Sequence, residues 1–212
     1  MYFTLKKISE FTYTLNIQGE YALILYQSIK KLEKSVTLDQ EGSFIIFSAE
    51  NVVLFKEYLL EHKTFQKCIK MIDDLTKQLL YLKKLGYGFY GFDMNDILII
   101  DNVFIFCSTQ HFLPLVENNM VFYEPMKIPY FSNPEILELT TLPSEINYKC
   151  EFYSLGVLAT FCLLNEYLLV GNEIKSVEEI DRILLPIYNT KIYWFIKRCL
   201  EEKVDERALL LI

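Results

Sequence analysis

The sequence is poor in glycine and proline, and it has no long apolar run. Of its 212 residues only 7 are glycine and 6 are proline, so disordered linkers and low-complexity segments are not expected. Its most apolar stretch, residues 148–164, is shorter than the roughly 20 residues that cross a bilayer, so no membrane insertion is predicted. No secretory segment is recognised, and we therefore expect a cytoplasmic protein with a sizeable hydrophobic core.

Histidine is scarce too, and the cysteines are scattered. The two histidines are His62 and His111, and the five cysteines include no pair at two-residue spacing. An odd number of cysteines in apolar surroundings is typical of reduced core thiols. Because a zinc site needs a close cluster of cysteine or histidine, these isolated positions predict no metal site and no cofactor.

Basic residues are outnumbered by acidic ones, 21 against 28, which gives a formal net charge of −7. Nucleic acids and anionic membranes bind clustered lysine and arginine, so the charge argues against either as a partner. A protein partner is the class of macromolecule that this balance leaves open.

The first quarter of the chain has the pattern of a small antiparallel sheet. Short runs rich in β-branched and aromatic residues are separated by polar or glycine breaks such as Gln18-Gly19. The runs are residues 2–8, 11–17, 21–26, 43–48 and 52–55. We predict about five strands over residues 1–56, with little or no helix beyond one or two turns within residues 28–35.

From residue 57 onward the apolar spacing changes to that of helices, so residues 57–212 are predicted to be mainly helical. Apolar residues recur at three and four between Thr64 and Leu85, and Gly86 supplies the stop. A capping box at residues 176–179 opens a further helix. The fold class is therefore α+β.

Other segments of this second part have distinct patterns. Pro186 ends the helix that the capping box opens, and residues 193–200 predict a final amphipathic helix. Residues 97–100 and 103–106 predict a tight hairpin. Residues 110–131 carry three prolines and little periodicity, which predicts an irregular excursion.

The stretch at residues 148–164 predicts a helix buried on every side, against which the other elements pack. Glu151 lies in its first turn. Ser154 and Gly156 place small residues where another backbone could come close.

Taken in order, these elements resemble the large lobe of the protein-kinase family over residues 52–207. Residues 130–135, which end in Pro134-Glu135, resemble the segment that ends in Ala-Pro-Glu. Residues 151–157 resemble the Asp-x-Trp-Ser-x-Gly-Val that opens the central helix. Cys199-Leu200, followed by Arg207, resembles the family's closing Cys-Leu and arginine. The resemblance implies a kinase-like fold, with a reduced β-rich lobe at residues 1–56 and a helical lobe at residues 57–212.

The resemblance also implies which residues carry the architecture. Glu135 and Arg207 are expected to form a partly buried, two-point ion pair that joins a loop to the end of the chain. Glu151, Ser154 and Gly156 are expected to hold the central helix.

By contrast, the same resemblance implies that the catalytic side chains of the family are replaced by other residues. Gly91 stands where the catalytic base belongs, and Asp93 stands where a lysine belongs. Asp96 replaces the family's magnesium-binding asparagine. Ser108 lies near the position of the aspartate that is the family's other magnesium ligand. A glycine cannot accept the proton of a substrate.

The groups that would hold a nucleotide are missing as well. No glycine-rich phosphate loop is found, and Ile24 or Leu25 of a predicted third strand stands where the phosphate-binding lysine would be. Asp93, Asp96 and Asp101 could still form a residual metal site, but solvated loop carboxylates are the simpler interpretation.

The resemblance therefore implies a catalytically inactive pseudokinase that serves as an interaction scaffold or structural component. The chain is rich in Phe, Tyr, Ile, Leu and Lys and poor in Ala, which suggests an AT-rich genome. Compact degenerate chains of this style are similar to proteins of large DNA viruses, which implies a location in the virion or the host cytoplasm.

Two alternatives remain open at this stage. One is an atypical nucleotide-dependent phosphotransferase that uses Asp93 or Asp96 as base or metal ligand. The other is an activator or decoy that docks on an active kinase. Trp194 is expected to pack in the core rather than to form a contact.

Overall fold

The structure describes residues 3–33, 35–39, 44–61, 64–171 and 173–210. Within these residues the chain begins with a four-stranded antiparallel sheet and one helix. The structure is a computed structural model. These first elements are β1 (Phe3–Lys7), β2 (Thr12–Ile17), α1 (Ala22–Leu32), β3 (Thr37–Leu38) and β4 (Ile45–Ser48). The strands are ordered β1-β2-β4-β3, and alternate side chains of β2 and β4 are buried, as the two-residue period of a strand requires.

Helix α1 is the main correction to the prediction for this part. The sequence predicts a strand at residues 21–26 and little or no helix, whereas the structure has an 11-residue helix. Leu25, Tyr26 and Ile29 are its buried apolar side chains, at helical spacing. An apolar run of six residues fits the period of a strand as well as that of a helix. The packing of the run against later elements therefore decides which of the two forms. Ile24 and Leu25 lie on this helix and not on a third strand, so the assignment of either to the strand position of a phosphate-binding lysine is wrong.

The second part begins with a strand that pairs with a hairpin rather than with the first sheet. Strand β5 (Val52–Leu54) pairs with β7 (Ile97–Ile100), which pairs in turn with β8 (Val103–Phe106), all antiparallel. The hairpin turns at Asp101 and Asn102, with φ of 46° and 69°, as a two-residue turn of this kind requires. The predicted hairpin is confirmed, but the prediction that residues 52–55 join the first sheet is wrong.

Helix α3 (Phe65–Lys84) follows the short helix α2 (Phe55–Glu61) and confirms the predicted long helix. Thr64 caps its N-terminus, because the threonine hydroxyl accepts a hydrogen bond from the Lys67 N–H at 3.3 Å. Gly86, with φ of 82°, ends it as predicted. Helix α1 packs against both α3 and β8.

A buried glutamine fastens these three elements together. Gln78 of α3 donates from its amide nitrogen to Ser28 Oγ of α1 at 2.8 Å and to the carbonyl of Phe106 at 3.0 Å. Its amide oxygen accepts the Phe106 N–H at 2.7 Å. Both amide groups are therefore satisfied inside the core.

Four short strands, one 3₁₀ turn and one short α-helix lie between α3 and the central helix, apart from the hairpin. Strand β6 (Tyr87–Phe89) pairs with β9 (Phe112–Pro114), and β10 (Asn119–Phe122) pairs with β11 (Ser144–Asn147). Helix α4 (Pro134–Leu137) separates the last two. The predicted irregular excursion is thus wrong in part, because strands of three or four residues give too little periodicity to detect.

Helix α5 (Cys150–Leu164) is the predicted buried helix, and 12 of its 15 residues are buried. It packs against α3 and β6, and against the later helices α6 (Val177–Leu184) and α7 (Lys191–Cys199). A Cβ atom at Gly156 would lie 2.9 Å from Cys199 Cβ, so the glycine allows α7 its close approach.

The end of the chain agrees with the prediction. Strands β12 (Leu169–Val170) and β13 (Glu173–Ile174) form a two-stranded ribbon, and α6 opens on the expected capping box. A 3₁₀ turn that contains Pro186 ends α6, and α7 is the expected final helix. The chain is α+β. Among the described residues, no helix has both the length and the apolar character needed to cross a bilayer.

Candidate functional site

Gly91 lies in the segment between β6 and β7, directly against a proline ring. A Cβ atom at position 91 would lie 2.5 Å from Pro129 Cγ and 3.1 Å from the carbonyl oxygen of Phe131. Carbon atoms in contact normally lie 3.5–4.0 Å apart, so any side chain here would displace its neighbours. Phe92 and Phe131 exchange backbone hydrogen bonds of 3.2 and 2.8 Å, which hold the proline in place.

Asp93 and Asp96 cap a single 3₁₀ turn that leads into β7. Asp96 Oδ2 accepts the Asp93 N–H at 2.7 Å, and the Asp93 side chain accepts the Asp96 N–H in return. Asp93 Oδ1 also accepts the Tyr130 N–H at 2.7 Å. At least one oxygen of each carboxylate therefore accepts a backbone N–H of the loop.

His111 joins these two carboxylates, although it is isolated from other histidines and cysteines in the sequence. Its Nδ1 lies 2.9 Å from Asp96 Oδ2, and its Nε2 lies 3.8 Å from Asp93 Oδ2. The imidazole is fully buried, with the ring of Tyr90 edge-on at 5.2 Å. The Tyr90 N–H donates to the His111 carbonyl and so extends the pairing of β6 with β9 by one hydrogen bond. This bond brings the His111 imidazole to the loop that carries Asp93 and Asp96. His62 lies outside the described residues.

Asp101, the third acid of the residual metal site that the sequence leaves open, is engaged elsewhere. Asp101, at the turn of the hairpin, accepts the backbone N–H groups of Glu50 and Asn51 at 3.2 and 2.7 Å. Asp93, Asp96 and His111, rather than Asp101, are the ligand-type side chains that the fold brings together, with ligand atoms within 4.8 Å of one another.

Ser108 follows β8 and carries no acidic group. It is buried, and its hydroxyl accepts the Gln110 N–H at 3.2 Å. The preceding residue, Cys107, donates its N–H to the Asp96 carbonyl at 2.8 Å, and burial together with the nearby Asp96 charge raises the pKa of the Cys107 thiol well above its usual value. Neither side chain offers a carboxylate to a cation.

The turn before α1 lies directly on the segment that follows β8. Thr109 Oγ1 donates to the Gln18 carbonyl, and a Cβ atom at Gly19 would lie 2.6 Å from the same Thr109 oxygen. The ring of Tyr21 contacts those of Tyr87 and Phe112, at centroid distances of 5.4 and 6.2 Å. The first part of the chain therefore covers residues 109–112.

A buried amide anchors the Gly91 loop to the central helix. Asn133 Nδ2 donates to the Tyr90 carbonyl at 2.7 Å and to Ser154 Oγ at 2.9 Å, while Asn133 Oδ1 accepts the Ile136 N–H. All three bonds are buried. Ser154 thus fixes the loop as well as allowing close packing.

Glu151 holds the end of β6 from the first turn of α5. Its Oε2 accepts the Phe89 N–H at 2.9 Å, and its Oε1 is buried with no hydrogen-bond partner. Burial raises the pKa of the Glu151 carboxyl to about 8, although the Phe89 hydrogen bond and the positive charge of Lys83 oppose the shift. The side chain is therefore largely protonated at neutral pH.

The expected two-point ion pair is present between Glu135 of α4 and Arg207. Arg207 Nη1 and Nη2 donate to Glu135 Oε2 and Oε1 at 3.0 and 2.7 Å. The Arg207 side chain is fully buried, and it also donates to the carbonyls of Glu201 and Glu202. Its guanidinium lies over the ring of Tyr153, 4.9 Å from the ring centre.

Sequence reasoning missed three residues that shape this site, namely Pro129, Asn133 and His111. Pro129 and His111 lie within the segment predicted to be irregular, where nothing in the pattern says what they contact. Asn133 follows Ser132 and precedes Pro134, a typical N-cap position, and that signal could have identified it.

No model of a known protein family matches the sequence, and no curated protein matches it either.

Proposed function

We propose that the chain is a catalytically inactive, kinase-like protein that acts by binding a protein partner. The order of its elements supports the kinase-like part of the proposal: the long helix α3, the β7-β8 hairpin, the segment ending at Pro134-Glu135 and the buried helix α5. The ion pair between Glu135 and Arg207 supports it further, because the resemblance implies that pair.

The observation that carries the proposed inactivity is the contact between Gly91 and Pro129. In a kinase-like arrangement position 91 would hold the catalytic base, and here the proline ring takes the volume of its side chain. Loss of a general base typically lowers a rate by a factor of about 10²–10⁴.

The surroundings of Gly91 support the same conclusion. The carboxylates of Asp93 and Asp96 already bind backbone N–H groups and His111, and Ser108 offers no charge. Gln18 and Gly19 lie against Thr109, so the first part of the chain contacts the segment next to this loop.

We expect ATP to leave the thermal stability of the full chain unchanged. With millimolar ATP and either magnesium or manganese, the melting temperature should move by less than about 1 °C relative to the metal alone, because a ligand that does not bind the folded state cannot stabilise it. Differential scanning fluorimetry measures the shift, and a phosphotransfer assay should detect no product.

The opposite outcome would favour an atypical phosphotransferase. That alternative rests on the cluster of Asp93, Asp96 and His111. A nucleotide-dependent shift of several degrees, lost in Asp96→Asn but kept in Asp101→Asn, would support it and contradict the proposal.

An exposed aromatic patch is the surface on which the partner-binding part of the proposal rests. We define the aromatic patch as the exposed rings of Tyr188 and Trp194 together with the partly buried ring of Tyr193 between them. The rings of Tyr188 and Tyr193, and of Tyr193 and Trp194, lie 5.1 Å apart. Trp194 is 52% exposed, so the expectation that it packs in the core is wrong. Exposed aromatic clusters mark contact sites, since tyrosine and tryptophan dominate the energy of protein interfaces.

Substitutions in the aromatic patch should weaken binding of the partner and leave the fold of the chain intact. A Tyr188→Ser/Trp194→Ser variant is expected to bind at least about tenfold more weakly the partner that the unaltered chain recovers from its native source. Binding of the purified pair is measured by calorimetry, and unfolding of the variant alone by urea. Tyr123→Ser, which alters an even more exposed ring, is the control.

The identity of that partner separates the remaining possibilities. A regulatory or virion protein would support a scaffold in the host cytoplasm or the virion, whereas an active kinase would support an activator or decoy. Equal binding by the double variant and the unaltered chain would contradict the role of the aromatic patch.

A further inference from the structure

The His111 imidazole has one nitrogen with a partner and one without. Nδ1 lies at hydrogen-bond distance from Asp96 Oδ2, whereas Nε2 is buried and makes no hydrogen bond. If Nε2 carried a proton, that proton would need an acceptor, and Asp93 Oδ2 at 3.8 Å is too far away. The neutral tautomer, with its proton on Nδ1, leaves instead a lone pair at Nε2 that is directed toward no donor. A buried polar atom left in this state is destabilising unless something binds it.

We propose that His111 Nε2 and Asp93 Oδ2 bind one divalent transition-metal ion, with zinc as the best match. In a tetrahedral zinc site, nitrogen and oxygen ligands at 2.0–2.2 Å from the metal lie about 3.4 Å apart. The observed 3.8 Å between these two atoms therefore admits an ion after a shift of a few tenths of an ångström.

Asp96 has the role of an orienting residue in this site. Metal-binding histidines usually donate their second N–H to a carboxylate, which fixes the tautomer and strengthens the ligand. The 2.9 Å contact between His111 Nδ1 and Asp96 Oδ2 is that arrangement. Asp96 is itself held by the Asp93 N–H, and Asp93 by the Tyr130 N–H, so the ligands are fixed before the ion arrives.

The ligand types favour zinc over magnesium. Magnesium prefers six oxygen ligands, whereas an imidazole nitrogen with a carboxylate suits zinc and its neighbours. The site opens toward solvent at Asp93, which is partly exposed, so water can complete the coordination. Lys127 Nζ lies 3.7 Å from Asp93 Oδ2 and is 73% exposed, so the lysine can swing away when a cation enters.

Zinc binding to the metal-free full chain tests the proposal independently of ATP and of any partner. Isothermal titration with zinc gives stoichiometry and affinity, and cobalt(II) absorption reports whether a nitrogen ligand is present. The variants are His111→Gln, Asp93→Asn and Asp96→Asn. His62→Gln is the matched control, because it removes the other histidine of the chain.

We expect one zinc ion per chain in the unaltered protein and in His62→Gln. Asp93→Asn and His111→Gln should weaken binding at least tenfold, and Asp96→Asn about 10–100-fold. Lys127→Ala should tighten binding about two- to fivefold, because it removes a competing exposed cation. Asp93 and Lys127 are partly or largely exposed, so these two variants keep the test valid if His111→Gln unfolds.

Two results would overturn the proposal. One is the absence of zinc binding to the unaltered chain at millimolar concentration. The other is an affinity that Asp93→Asn leaves unchanged, which would place the ion elsewhere on the chain.

Discussion

Replacing Glu135 with alanine is expected to lower the free energy of unfolding by about 3–5 kcal/mol. The reason is the charge that is left behind. The Arg207 side chain is fully buried, and without Glu135 it keeps only the carbonyls of Glu201 and Glu202 and the face of Tyr153. A guanidinium that is removed from water without its counter-ion destabilises the fold much more than the intact pair stabilises it.

Urea unfolding of matched variants checks this expectation. Glu138→Ala removes an exposed carboxylate from the residue that ends the same short helix, and it should change the free energy by less than about 0.5 kcal/mol. The double variant Glu135→Ala/Arg207→Met should be more stable than Glu135→Ala, because it leaves no stranded charge. Equal destabilisation by Glu135→Ala and Glu138→Ala would show that the pair contributes nothing.

The second large effect is a pH dependence that Glu151 introduces. Below about pH 4.5 the carboxyl is protonated in both the folded and the unfolded chain, so its burial carries no ionisation penalty. Between about 4.5 and 8 the folded chain keeps a proton that the unfolded chain has lost, and rising pH therefore favours unfolding. Above about 8 both states are ionised and the penalty is constant.

Glu151→Gln should remove this dependence while keeping the hydrogen bond from the Phe89 N–H. Each pH unit of the window contributes at most about 1.4 kcal/mol, so between pH 5 and 8 the unaltered chain should lose about 2–4 kcal/mol more than the variant. Urea unfolding at pH 5, 6, 7 and 8 measures the difference.

Glu138→Gln is the control for this series, because its carboxylate is exposed and its removal should leave the pH dependence unchanged. If Glu151→Gln and the unaltered chain show parallel stability curves, then the buried carboxyl does not carry the shift assigned to it.

The parts of the fold that could be predicted from the sequence have signals that extend over many residues. The spacing from Thr64 to Leu85, the turn at Asp101 and Asn102 and the unbroken apolar character of α5 each involve a local preference that tertiary packing does not oppose. Helix α1 shows the opposite case. Its first five residues, together with Tyr21 before them, satisfy the composition of a strand, and only the packing against α3 and β8 selects the helix.

The candidate site was predictable in composition but not in geometry. The absence of an acid at position 91 is visible in the sequence, whereas the proline ring that fills the space is not. His111 is 15 residues from Asp96, and no periodic pattern connects them. The ladder of β6 and β9 brings them together, and that pairing depends on strands too short to recognise.

Gln78 has a consequence for how this protein meets other molecules. The side-chain amide of Gln78 connects α1 to the hairpin through buried hydrogen bonds. A movement of α1 and the hairpin away from Gln78 would expose three hydrogen bonds at once. A partner of the kind we propose would therefore encounter a preformed arrangement of α1, α3 and the hairpin, and its association should require little conformational adjustment.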